Sequence, residues 1–164
     1  DEAFLDVGGS VALFGSAEEI GWKIKNEIRS ETDLVASVGL APNKFLAKVA
    51  SDLEKPDGFV VVNSDGIHQF LDPLPVSRLW GVGRRANETL AQMGIRTIQQ
   101  LREAPLSEMC RQFGEASASH LHELAHGRDD RAVVPDREAK SISHETTFPV
   151  DITDADVLLS LIHI

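Results

Sequence analysis

The sequence predicts an α+β fold: a small antiparallel or mixed sheet with helices on one face over residues 1–74, followed by an all-helical region over 75–128. Three observations lead there. Strand-like and helical stretches alternate through the first part, Asp72-Pro73-Leu74-Pro75 interrupts them, and from Val76 to Arg128 apolar residues recur at helical spacing. At 164 residues, 42% hydrophobic and 26% charged, the chain can bury one ordinary core or two small ones.

The chain opens at Asp1-Glu2-Ala3-Phe4-Leu5-Asp6-Val7, strand-like from Ala3 onward. Adjacent carboxylates on a regular strand point to opposite faces, so Asp1 and Glu2 serve one site only at a hairpin tip or strand end. They are either two acids at a solvated turn or, with a third carboxylate, oxygen ligands for Mg²⁺. Gly8-Gly9-Ser10 reads as a turn, and Ala17 to Arg29 as a helix carrying Ile20, Ile24 and Ile28, with Glu18 and Glu19 in its first turn. Leu34 to Leu40 is rich in β-formers.

Next comes the stretch Ser37 to Gly58. It reads as a strand end, a helix capped by Asn43 and a stop enforced by Pro56. At about 100° per residue, Leu46, Val49, Ala50 and Leu53 share one stripe, while Lys44, Lys48 and Lys55 share the opposite side. That lysine row is either a solvated face or one aimed at phosphates, and the segment alone leaves both open. Phe59-Val60-Val61-Val62 follows as a short strand, and Asn63-Ser64-Asp65 as the start of a helix with Ile67, Phe70 and Leu71.

In the helical region, Leu79-Trp80-Gly81-Val82-Gly83 makes a tight turn before a helix that Gly94 stops. Short helices follow over Ile95 to Leu101, Leu106 to Phe113 and Ala116 to Ala125, separated by Pro105 and Gly114. Gly81, Val82 and Gly83 resemble a helix-hairpin-helix element, in which glycines bring backbone N–H groups at a helix start close to a phosphate, with Arg84 and Arg85 beside them. Phe113-Gly114-Glu115-Ala116 reads equally as a second, degenerate hairpin or as helix punctuation. Of His120, His122 and His126, only the last two share a helix face, and a surface role is the better reading than a metal site. Arg128 to Glu138 is charged and loop-like, Lys140 to Phe148 alternates as a strand does, and Ile152 onward is helical.

Charge and composition narrow the function. The net charge is −10, distributed as −5, −1 and −4 over residues 1–58, 59–135 and 136–164, and every base of the middle part is an arginine. An acidic total speaks against strong nucleic-acid binding by this chain alone while allowing a local basic surface. Cys110 is the single cysteine, which excludes an internal disulfide and reads as a small buried hydrophobe. With no long apolar run and no leader-like N-terminus, a cytoplasmic protein is expected. The chain opens inside one element and stops inside another, which reads as a piece of a longer protein.

Four motifs, in order, resemble the Y-family of translesion DNA polymerases, and within it the bacterial DinB group. They are Asp1-Glu2-Ala3-Phe4-Leu5-Asp6; Val38-Gly39 through Lys55-Pro56-Asp57-Gly58; Pro75-Val76 through Gly94-Ile95-Arg96-Thr97-Ile98; and Lys140-Ser141 through Thr147-Phe148. The resemblance implies part of a palm over 1–74, a thumb over 75–128, a linker over 129–140 and the start of a little finger over 141–164. It implies Asp1 as a metal ligand, Glu2 as a metal ligand and catalytic carboxylate, and two Mg²⁺ ions in the complete site. Lys55 would contact the triphosphate of the incoming dNTP, and Gly81, Val82, Gly83, Arg84 and Arg85 the DNA backbone. The implied activity is error-prone, template-directed synthesis on primer-template DNA by a monomer that engages a sliding clamp, with these 164 residues inactive by themselves. The competing reading is a non-catalytic, polymerase-like DNA-binding module.

Overall fold

A computed structural model describes residues 2–135, 145 and 147–160. Residues 1–133 form one compact unit and 134–164 a second. In the first unit a 3-10 turn at Gly8–Ser10 leads into α1 (Val11–Phe14) and then α2 (Ala17–Thr32). Ser16 and Glu19 start α2 as a reciprocal capping box, and Asp33, at φ 61°, ends it. The helix thus runs three residues beyond the expected Arg29.

Strands β1 (Val38–Leu40) and β2 (Phe59–Val61) pair in parallel, Val38 opposite Phe59 and Leu40 opposite Val61. Between them α3 (Lys44–Leu53) makes the crossover that parallel neighbours require. Among the described residues this is the whole ladder; antiparallel pairing is confined to the isolated bridge Pro75–Thr97. The expected strand at Ala3 to Val7 is not formed. Those residues have strand composition but no partner among the described residues, and β-propensity without a partner makes no strand.

Asn43 caps α3 as expected, its side chain accepting the Leu46 N–H at 3.0 Å. Leu46, Val49 and Ala50 are buried on the predicted stripe, and Phe45, read from outside it, is fully buried as well. The strand–helix contact is close at Gly39, where a Cβ would stand 2.0 Å from the Ala47 carbonyl oxygen. Only glycine leaves room there.

α4 (Ile67–Leu71) begins later than Asn63 because residues 63–66 form a turn closed by Gly66 N–H on the Asn63 carbonyl. A 3-10 turn at Val76–Arg78 precedes α5 (Arg84–Gln92), and Gly94 at φ 79° makes the predicted left-handed stop. α6 (Ile98–Glu103) starts at Ile98, not Ile95, because Thr97 and Gln100 form a capping box. α7 (Leu106–Phe113) and α8 (Glu115–Ala125) pack together across Gly114, at φ 77°.

One hydrophobic core runs from Phe45, Leu46 and Val49 of α3 through Leu71, Val76, Leu79 and Leu90 to Ile98, Leu101, Met109, Leu121 and Leu124. Each such side chain contributes about 1.5–3 kcal/mol when fully buried. Cys110 is half-buried against this core as a free thiol. In the second unit, α9 (Ala155–Ser160) is the helix expected after Ile152. Most of the strand read at Lys140 to Phe148, residues 140–144 and 146, lies outside the described residues.

Candidate functional site

The lysine face of α3 divides in two. Lys44 turns toward the loop after α8, with its Nζ donating to the Ala132 carbonyl at 3.3 Å and lying 5.2 Å above the Phe4 ring. Lys48 and Lys55 turn the other way. Lys48 Nζ bonds the Glu2 carboxylate and sits 3.0 Å from Asp52, while Lys55 Nζ sits 2.5 Å from Asp52 and 3.7 Å from Glu2. The result is an alternating quartet of two ammonium groups and two carboxylates.

The quartet sets its own protonation. The hydrogen bond from Lys48 holds the Glu2 carboxyl below its ordinary value. At Asp52 partial burial acts upward, but the hydrogen bonds from Lys55 and Lys48 outweigh it and the carboxyl is again depressed. Burial works against the Lys48 ammonium, yet its bonds to Glu2 and Asp52 raise its pKa. Of the predicted carboxylate pair, Glu2 is thus placed beside Lys55, and Asp1 lies outside the described residues. Lys48 belongs to the lysine row read from the sequence, whereas Asp52 enters the site without a motif of its own, its signal being the i, i+4 spacing to Lys48 on the lysine side of the helix.

The glycine turn stands across a groove from the Lys48 and Asp52 members of this quartet. A hollow of about 400 Å³ is lined by Lys48, Val49 and Asp52 on one side and by residues 77–83 on the other. Gly81 adopts φ 89°, a conformation that favours glycine. Gly83 is different: its backbone is extended (φ −79°, ψ −176°), and an added Cβ would meet nothing within 4 Å. Neither its conformation nor its packing demands glycine.

Gly83 also brings no side-chain cap to α5, so the helix's first N–H groups are left for a ligand or solvent. Arg84 is 91% exposed in its side chain, and Arg85 is exposed too. Val82 contributes least: its side chain is in the core and its N–H is held by the Leu79 carbonyl at 3.1 Å.

Trp80, next to the turn, touches three separate segments. Its ring lies edge-on to Phe4 at 6.1 Å and to Phe45 at 6.3 Å, and the Arg131 guanidinium stacks over it at 4.3 Å. Arg131 in turn bonds Asp129, whose other oxygen accepts the Phe45 N–H. Away from the groove, His122 and His126 rings lie 4.5 Å apart, with His68 6.2 Å from His126. Burial first, then the neighbouring His126, push the His122 pKa down. Among the described residues no three metal-binding side chains come together, and no helix is long and apolar enough to cross a membrane.

The impB/mucB/samB family matches residues 1–52, and the DNA polymerase-iota thumb domain matches residues 77–129. The chain is 47% identical to the DNA polymerase IV of Desulfatibacillum aliphaticivorans over 148 residues, covering 90% of this chain and 37% of that protein. It is 47% identical to that of Xanthomonas campestris pv. campestris over 152 residues, 93% of this chain and 42% of the relative. Among solved structures it resembles DinB from Sulfolobus solfataricus (TM-score 0.69, 30% identity, 79% of this chain and 38% of that one). It also resembles an insertion ternary complex of Dbh DNA polymerase (TM-score 0.70, 32% identity, 79% and 38%). The chain spans less than half the length of these curated relatives.

Proposed function

Because the chain belongs to the Y family of DNA polymerases, in its DinB-like group, we propose that the whole protein carries out error-prone, template-directed DNA synthesis across lesions. The observation that carries this reading is the groove itself, which sets the lysine-bearing face of α3 opposite the glycine turn of the helical region. Residues 1–74 act as part of the palm, 75–128 as the thumb, 129–140 as the linker and 141–164 as the start of the little finger.

Lys55, half-exposed and held among the described residues by carboxylates, exchanges Asp52 and Glu2 for the triphosphate of the dNTP. The α5 N-terminus beyond Gly81, Val82 and Gly83, with Arg84 and Arg85, holds the backbone of primer-template DNA whatever its sequence. Asp1 and Glu2 hold Mg²⁺, with two ions in the complete site. The donor chemistry fits, since carboxylate oxygens suit this hard cation and the Glu2 side chain is 52% exposed. When bound, Mg²⁺ supplies Lewis-acid activation of the primer 3′-hydroxyl and charge stabilisation at the leaving pyrophosphate. Glu2 is released from Lys48 and Lys55 to take up that role, which leaves the two ammonium groups sharing the single Asp52 carboxylate and with charge to spare for an anion. The protein acts as a cytoplasmic monomer that engages a sliding clamp.

Primer extension by the full-length protein tests this reading. Asp1→Ala is expected to lower nucleotide incorporation by about 10²-fold or more with DNA affinity retained. Unchanged turnover would refute the metal role, and a full-length wild-type protein that binds DNA without incorporating nucleotides would establish the non-catalytic module instead.

A further inference from the structure

Lys25, on α2, is a buried charged residue outside the lining of the groove, with 8% of its surface exposed. An ammonium taken out of water is tolerated when its donors are satisfied, and it has three. All three are used here. Nζ donates to the Ala36 carbonyl at 2.7 Å, to the Asp57 carbonyl at 2.8 Å and to the Asp57 carboxylate. Arg29, one turn along α2, adds a longer contact of 3.6 Å to the other carboxylate oxygen.

These bonds converge on the turn that carries Lys55. Asp57 is fixed through both backbone and side chain, and the hydrogen bond from Lys25 holds its carboxyl below the ordinary range. Gly58 ties the same turn to the sheet, accepting the Val38 N–H at 3.0 Å and donating to Ser37 Oγ at 3.2 Å. The turn has little room to settle elsewhere, since a Cβ on Gly58 would stand 2.6 Å from the Glu54 carbonyl oxygen. One residue separates Lys55 from Asp57. Its backbone is therefore set by the end of α3 on one side and by Lys25 on the other, while its own side chain is 53% exposed and open to a ligand from solvent.

We propose that Lys25 is a positioning residue for nucleotide binding, acting through Asp57 to place the Lys55 ammonium at the triphosphate. The inference rests on the assignment of Lys55 to the triphosphate. Lys25 itself touches neither the quartet nor the groove, so its removal changes nucleotide affinity with DNA affinity kept.

Steady-state kinetics of the full-length polymerase test it, with DNA affinity measured alongside. Lys25→Met is expected to raise the KM for dNTP roughly tenfold with kcat within about twofold, as loss of ground-state binding does. Lys25→Arg, which keeps the charge and two or more donors, restores most of the loss. Lys55→Ala raises the same KM, and the double variant is no worse than Lys55→Ala alone, because nothing is left to position. Should Lys25→Met not fold, Asp57→Asn at an exposed position carries the same double-variant comparison. If Lys55→Ala raises KM while the Lys25 and Asp57 variants leave it unchanged, or add to it independently, the positioning role is overturned and the Lys55 assignment survives. If Lys55→Ala itself leaves KM unchanged, that assignment fails and this inference falls with it.

Discussion

Asp129 caps a helix that begins 85 residues before it: its Oδ2 accepts the backbone N–H of Phe45 at 3.1 Å, in the first turn of α3. The neighbouring contact repeats the theme, with Asn43 Nδ2 donating to the Gly127 carbonyl at 2.7 Å while Asn43 Oδ1 caps Leu46. The start of α3 and the end of α8 are thus stitched together by charge-assisted and neutral hydrogen bonds. What the helical region contributes to the lysine helix is its N-terminal anchorage.

The Asp129 side chain is only 3% exposed, and its removal should be felt. Burial acts to raise its carboxyl pKa, but the bonds from Arg131 and from the Phe45 N–H prevail and hold it below the ordinary carboxylate range. A depressed carboxylate contributes stability that is complete above its unfolded value and is lost as pH falls through the folded one. Asp129→Ala is expected to cost about 1–3 kcal/mol at pH 7. In urea denaturation the gap between wild type and variant should hold down to pH 5 and shrink below pH 4.

Gly39→Ala should be among the most damaging small substitutions in the chain. The added methyl would meet the Ala47 carbonyl and the Ser51 amide, both backbone of α3, so relief requires helix and strand to part. An expected loss of about 3 kcal/mol, read as a lowered thermal midpoint, follows from overpacking against atoms that cannot rotate away.

Gly83→Leu separates fold from function. Its Cβ would enter open space and its backbone suits any residue, so the melting temperature should stay within about 0.5 kcal/mol of wild type in equivalent stability. DNA affinity in the full-length protein should nonetheless fall, and by a similar factor on all sequences, if the turn holds backbone phosphate as proposed. A sequence-selective loss, or none, would remove the turn from the DNA interface.

What the sequence made legible was mostly local. Asn43 as a cap, Gly94 as a stop and the Pro105 and Gly114 breaks each act within a turn of the residue that announces them, and each is found in place. Ala3 to Val7 shows the opposite case: composition proposes a strand, but strand formation depends on a partner elsewhere in the chain. The candidate site was half visible. Lys55 and the glycine turn were marked by motif, whereas Lys48 with Glu2, Arg131 over Trp80 and Lys25 under Asp57 join residues 46, 51 and 32 positions apart. No periodicity or cap signal reports such pairs, because their partners are chosen by packing.

The continuous core has a consequence for how this molecule comes apart. Leu71, Val76 and Leu90 sit in the same cluster as Phe45 and Val49, so the sheet-bearing part and the helices that follow share one apolar core. Loosening α5 withdraws Leu90 from the cluster that also holds Phe45 and Val49, so the two parts are expected to melt together, as one transition in calorimetry. Removing a leucine of the helical region such as Leu90 therefore opens a void in the same core that seats the lysine helix, and groove and scaffold are expected to be lost together under heat or denaturant.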